Sequence, residues 1–256
     1  MTQANCLFDN GLDYSYYVNM NLKLAFFDVD GTLIWRKNSE GITLKSASFN
    51  YALNTRFDLK NVNYLSILGK KLYGLTDRSI LKMTLLELGY SESDYYENQA
   101  ELFRIVDDYF ERNRHSIKDF QYKPNPSARE FLDYLQKQNI TMGLVTGNIR
   151  KHADWKLRGV GFNGYFTTGA FGEDGEDRVE IMSVALARNG DIPLSSVCHF
   201  GDSPLDLGAA AKLGIRCVAL TDKGGGTHSE KELESAAYGL IINSWDEVGR
   251  ISEYLN

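Results

Sequence analysis

Apolar and polar positions follow two regimes along the 256-residue chain. A short apolar run, Leu24-Ala-Phe-Phe, reads as a buried strand that stops at a turn. Residues 36–122 then carry almost no strand signal. Leu44, Ala47, Ala52, Leu53 and Phe57 recur at helical spacing, as do Leu102, Ile105, Val106, Tyr109 and Phe110. Residues 62–72 and 80–88 predict two more helices, the second stopped by Gly89. Pro124 and Pro126 punctuate the chain, and a helix is expected over 127–138. From Ile140 onward the pattern alternates. Strands are predicted at 140–145, 165–168, 196–200, 215–220 and 239–242, with helices at 151–159, 178–189, 204–213 and 246–254.

That alternation predicts an α/β fold, a Rossmann-like parallel sheet with helices on both faces. The helical block splits the first strand–helix unit from the rest. The expected organisation is therefore an N-terminal extension of residues 1–21, a core built from 22–35 and 123–256, and an inserted all-α cap domain of residues 36–122. No internal repeat is visible. Gly224, Gly225 and Gly226 read as a mobile loop rather than a phosphate-binding motif, because no Lys-Ser/Thr follows them.

Composition narrows the partners. The chain is 43% hydrophobic and 24% charged, with a net charge of −6. That balance, with no basic run, argues against nucleic acid as a partner. No segment approaches the roughly 18 consecutive apolar residues of a membrane span. The first twenty residues carry Asp9 and Asp13 without Lys or Arg, so they do not read as a signal peptide. Cys6, Cys198 and Cys217 are scattered, which suggests buried free thiols and a cytoplasmic setting. His199 lies inside an apolar run and is expected in the core, while His115, His152 and His228 show no partner spacing.

The candidate chemistry begins where the first strand ends, in Asp28-Val-Asp30-Gly-Thr32-Leu33. Strand alternation puts Asp28 and Asp30 on one side at the carboxyl end of a sheet, where open α/β folds bind ligands. Two like charges held that close call for a hard cation such as Mg2+. Leu144-Val-Thr146-Gly147-Asn148 is a second strand ending in a hydroxyl. Thr146 can hydrogen-bond a phosphoryl oxygen beside the backbone N–H groups of the next helix start. Gly201-Asp202-Ser-Pro-Leu-Asp206 follows a third apolar run. Asp202 can reach the cation, and Asp206, one turn on, can bind a metal water or orient a Lys or Arg. Helix capping is a compatible second role for these residues.

Taken in order, these stretches resemble the signatures of the haloacid dehalogenase superfamily, whose members are mostly Mg2+-dependent phosphatases. The resemblance implies that Asp28 is the nucleophile and Asp30 the general acid and base. It places Mg2+ on Asp28, the Asp30 backbone carbonyl and Asp202, with Asp206 alongside, and phosphoryl oxygens on Thr146, Gly147 and Asn148. The third signature normally supplies a Lys, and this chain departs from it. Arg178, which opens the helix before Val197, is expected to supply the cation; Lys156, on the helix after Thr146, is the alternative. Arg178→Ala is accordingly expected to be the more damaging change.

The cap lies between the first and second signatures, as in the branch of phosphoglycolate phosphatases and β-phosphoglucomutases. Tyr73-Gly-Leu-Thr76-Asp77 resembles that branch's substrate-contacting cap loop, so Thr76, Asp77 and Arg78 are expected at the substrate, with Lys71 and Arg78 as positive charge for an acidic one. A plain helix cap explains Thr76 or Asp77 equally well. The implied function is hydrolysis of a small phosphomonoester, phosphoglycolate or a sugar phosphate, by a monomer or dimer. A phosphomutase would keep both carboxylates and is the alternative. A haloacid dehalogenase would not need Asp30, because a halide leaves unprotonated. A catalytically dead binding module would not need every charged position kept.

Overall fold

A computed structural model describes residues 20–36, 43–69, 75–114 and 122–256. Strand β1, Leu24–Phe27, is buried at all four positions and lies in the middle of a parallel sheet. Its neighbours are β4 (Thr141–Val145) and β6 (Val197–Gly201). β5 (Thr168–Ala170) lies outside β4, and β7 (Arg216–Leu220) and β8 (Leu240–Ile242) continue beyond β6, giving the order β5-β4-β1-β6-β7-β8.

The alternation of β1 builds a core on each face. Ala25 and Phe27 join Phe131, Phe200 and Trp245, where α5 (Ala128–Lys137), α6 (Arg150–Gly159) and α10 (Val248–Leu255) pack. Phe27 stacks on Phe200 with ring centroids 4.7 Å apart. Leu24 and Phe26 face the other way, toward Ile181, Met182, Leu207 and Leu233 of α7 (Arg178–Arg188), α8 (Pro204–Leu213) and α9 (Glu230–Glu234). Strands covered on both faces have no polar side to show, which is why the apolar runs are continuous rather than alternating.

The helical block forms a third apolar cluster. Helices α1 (Leu44–Arg56), α2 (Tyr64–Leu68), α3 (Asp77–Glu87) and α4 (Glu92–Asn113) pack around Phe49, Leu53, Leu81, Leu85, Leu102 and Val106, and Ile149 of the core side joins them. Two short strands, β2 (Ile34–Arg36) and β3 (Tyr122–Pro124), pair antiparallel where the chain enters and leaves this block.

Several expectations shift. The β2–β3 ribbon carries three residues per strand, too few to show a period in sequence. α3 starts at Asp77 rather than 80, and α4 starts ten residues before Leu102 because Ser91 and Asp94 form a capping box. β5 lies at Thr168–Ala170 instead of 165–168, since Tyr165 and Phe166 pack beside the Phe27 cluster. α9 was not anticipated. Gly224, Gly225 and Gly226 form a tight turn: Gly224 and Gly226 both donate to Thr221 O, and Gly225 abuts the Asn125 side chain. Cys198 and Cys217 are buried free thiols. Residues 1–19 (Cys6 among them), residues 70–74 and His115 lie outside the described residues. No described helix is long and apolar enough to cross a membrane.

Candidate active site

The sheet delivers the acidic residues to one place. The Asp28 N–H donates to Phe200 O at 2.9 Å, extending the β1–β6 ladder by one step and setting Asp28 beside the end of β6. Asp202 follows β6 directly, and Asp206 lies in the first turn of α8. Carboxylate oxygens of Asp28, Asp202 and Asp206, all buried, lie within 4.8 Å of one another. Two glycines permit this crowding. Gly31 has φ of +82°, and a Cβ there would overlap the Asp202 carboxylate; a Cβ on Gly201 would overlap that of Asp206.

The three carboxylates are not equally compensated. Asp206 accepts from Ser203 Oγ at 2.6 Å and from His199 Nε2 at 3.0 Å, and Arg178 Nε lies 3.1 Å away. Burial raises its pKa, but Arg178, His199 and Ser203 together hold the carboxyl well below its usual range. Asp202 accepts from Thr32 Oγ1 at 3.2 Å and from the Thr227 N–H at 2.8 Å, with the Thr227 hydroxyl on the same oxygen. Burial, with Asp28 and Asp206 nearby, still pushes it up to about 8. Burial also raises Asp28; Arg178 opposes this, whereas Asp206 and Asp30 add to it. Asp28 and Asp202 are thus the pair short of positive charge. An all-oxygen donor set with that deficit fits a hard divalent cation.

Arg178, the first residue of α7, reaches Asp28 Oδ1 at 3.4 Å and Val145 O at 3.3 Å through Nη1. It therefore places its guanidinium beside two of the three clustered carboxylates. Lys156 does not face solvent. It is 6% exposed, and its Nζ lies 2.6 Å from Asp30 Oδ2 and 2.8 Å from Asn148 Oδ1. Asn148 Nδ2 donates to the same Asp30 oxygen at 2.7 Å and to Thr146 Oγ1 at 2.9 Å. Burial raises the Asp30 pKa, and Lys156 and Asn148 more than reverse it. The Asp30 side chain is not part of the three-carboxylate cluster.

Thr76, Asp77 and Arg78 lie on the seam between the helical block and the core. Thr76 caps α3 by accepting the Ser79 N–H at 3.1 Å and donates to Glu176 O at 3.1 Å. Asp77, fully buried, donates its N–H to Gly147 O at 2.8 Å, accepts the Ile149 N–H at 2.8 Å and pairs with Lys45. Arg78 Nη2 lies 3.7 Å from Glu176 Oε1. Thr76 and Asp77 are thus engaged at this seam, and Lys71, Tyr73 and Gly74 fall outside the described residues.

Four residues that support the site carried little signal in sequence. His199 holds Asp206, and its only advertisement was a titratable ring inside an apolar strand. His228 Nδ1 donates to Asp202 O at 3.0 Å beside Thr227. Asn125 Nδ2 binds Gly31 O at 2.7 Å and Thr32 O at 2.9 Å, fixing the turn after Asp30.

The acidic cluster thus lies at the carboxyl ends of the central strands of an α/β sheet, beside a helical insertion. Residues 25–220 match the haloacid dehalogenase-like hydrolase family, and the chain belongs to that family. It is 29% identical over 126 residues to a phosphorylated carbohydrates phosphatase of Thermotoga maritima, a match covering 46% of this chain and 56% of that protein. The chain thus spans little more than half the length of that curated relative. Its fold is similar to that of a predicted phosphatase from Clostridium acetobutylicum, with a TM-score of 0.61 at 21% identity over 91% of this chain and 99% of that one. A predicted phosphoglycolate phosphatase from Haemophilus somnus gives 0.57 at 20% identity, over 90% and 98%.

Proposed function

We propose that this protein is a Mg2+-dependent phosphatase of small phosphomonoesters and works through an aspartyl-phosphate on Asp28. The observation that carries this reading is the separation of two carboxylates only two residues apart. Asp28 belongs to the cluster short of positive charge, while Asp30 is held outside it by Lys156 and Asn148. One can attack while the other moves protons.

In the first step an Asp28 oxygen bonds to phosphorus as the ester P–O bond breaks, and Asp30 delivers its proton to the leaving alkoxide. In the second, Asp30 takes a proton from water as that water attacks the acyl-phosphate, releasing phosphate and restoring Asp28. Acid–base assistance of this kind is worth ~10²–10⁴-fold. The pairing with Lys156 favours the ionised Asp30 that the second step needs. Arg178 and Thr146 hold phosphoryl oxygens in line. Asp28 and Asp202, with the Asp30 carbonyl, would hold the cation, which would supply positive charge to offset that of the carboxylates and the phosphoryl group. Residues 36–122 act as the cap that excludes bulk water.

The Thermotoga maritima relative favours a phosphorylated carbohydrate over phosphoglycolate. Arg78, the charge once available to an acidic substrate, is directed to Glu176. The test is phosphate release from p-nitrophenyl phosphate and from a panel of sugar phosphates and phosphoglycolate, with and without Mg2+. Release that requires Mg2+ and is abolished in Asp28→Asn is the expected result. No Mg2+-dependent release from any of them would overturn the reading.

A further inference from the structure

The first turn of α3 touches two core loops, and both deliver groups to the phosphoryl site. On one side, Thr76 Oγ1 and Ser79 Oγ donate to Glu176 O at 3.1 and 2.5 Å, two residues before Arg178. On the other, Asp77 brackets Asn148. Its N–H donates to Gly147 O, and its Oδ2 accepts from the Ile149 N–H, each at 2.8 Å. Asn148 is the residue that ties Thr146 to Asp30.

Asp77 is built for this contact. It is fully buried, 72 positions from Ile149 in sequence, and its other oxygen pairs with Lys45 of α1. A carboxylate at the start of α6 also meets the positive end of that helix. An acceptor supplied from the helical block therefore completes the backbone hydrogen bonding of the turn that carries Thr146 and Asn148.

We propose that Asp77 is a positioning residue for phosphoryl transfer: by accepting the Ile149 N–H it fixes the turn of residues 146–149 in its working geometry only while the helical block is seated. The proposal rests on the phosphatase reading above. It separates Asp77 from substrate choice, because a residue that sets this turn acts on the phosphoryl group every substrate shares.

Two variants, one near-isosteric and one longer by a methylene, test it. Asp77→Asn keeps an acceptor at the Ile149 N–H, whereas Asp77→Glu displaces it by one methylene. The measurements are kcat and KM across the substrate panel, competitive inhibition by inorganic phosphate, and amide hydrogen exchange of a peptide spanning residues 144–152. Displacement is expected to lower kcat on the order of 10–100-fold for every substrate alike. It should weaken phosphate inhibition and speed exchange in the peptide, and Asn should recover most of the phosphate affinity. An inhibition constant does not depend on the folded fraction, so a merely less stable variant would leave it unchanged. Unchanged phosphate inhibition and exchange in Asp77→Glu would overturn the proposal. So would a changed substrate ranking with phosphate inhibition intact. If the wild type releases no phosphate, the phosphatase reading fails, and the exchange measurement still decides whether Asp77 holds the turn.

Discussion

Lys156 Nζ and Asp30 Oδ2 lie 2.6 Å apart, joining residues 126 positions distant in sequence. The pair binds the helix after the second signature to the second carboxylate of the first. With Asn148 it gives Asp30 two donors on one oxygen and one preferred orientation.

Lys156→Met should therefore be damaging, not silent. Losing the ammonium frees the Asp30 side chain to rotate and lets its carboxyl rise toward its ordinary pKa. We expect kcat to fall on the order of tenfold or more, part of the value of a positioned acid–base group. The pairing favours the ionised Asp30 that activates water, a step every substrate shares, so the loss should be similar for sugar phosphates and p-nitrophenyl phosphate. Steady-state rates on both substrates check this, and a loss confined to sugar phosphates would place the pairing's role in the first step instead.

Asp28→Asn should abolish turnover and raise thermal stability in metal-free buffer. The amide removes one of three buried carboxylates and relieves Asp202, whose pKa stands near 8 partly because of Asp28. Mg2+ should raise the melting temperature of the wild type and do so less for the variant, because one ligand is gone. Melting curves with and without Mg2+ show both effects. A variant no more stable than wild type without metal would mean that Asp28 is already compensated.

Arg178→Lys should not behave as a conservative change. The guanidinium spans Asp28 and Asp206 with different nitrogens, and a single ammonium cannot reach both in that geometry. Breaking a buried charge pair on one side costs about 3–5 kcal/mol when nothing replaces it. We expect the lysine variant to lose part of that, with weaker inhibition by inorganic phosphate. Denaturant melts and inhibition constants measure the two losses separately.

A buried histidine and a half-buried glutamate give opposite pH slopes. Burial holds His152 below its ordinary 6.5 despite Asp77 nearby, and neither ring nitrogen has a hydrogen-bond partner among the described residues. The unfolded chain takes up that proton first, so stability falls as pH drops through 6.5. His152→Phe, which keeps a ring between Phe49 and Phe110, should remove this loss and gain on the wild type in acid. Burial pushes Glu173 up to about 7 from 4.5. Its contribution is full below 4.5 and lost as pH rises through 7, so Glu173→Gln should gain on the wild type above neutrality. Stability measured against pH for the three proteins resolves the two signs.

The chain announced what strand ends determine. An apolar run that stops at Asp28 or Asp202 sets those carboxylates at one edge of a parallel sheet, whatever the helices do. Arg178 was legible for a related reason, as the first helical residue after an acidic loop. Contacts that depend on packing were not legible. Lys156 turns inward because α6 lays that face against Tyr122 and Asp30, and nothing in a basic helical residue says which face is buried. Asp77 looked like a helix cap or a substrate contact because its partners, Gly147 and Ile149, meet it only through tertiary structure. Thr227 sits 25 positions after Asp202 in a glycine-rich stretch whose composition suggested motion, yet the stretch closes on a carboxylate.

The central place of β1 also sets an order of assembly. Leu24 pairs with Thr141 on one side and Val197 on the other, so the strand leading to Asp28 is synthesised before both strands that flank it. Helices α1–α4 pack on one another within residues 44–113 and can condense before either partner strand exists. Pulse-labelled hydrogen exchange during refolding should find these helices protected ahead of β1. The mutual repulsion of Asp28, Asp202 and Asp206 is then confined to the closing steps, when most of the apolar surface that must hold them together is already out of water.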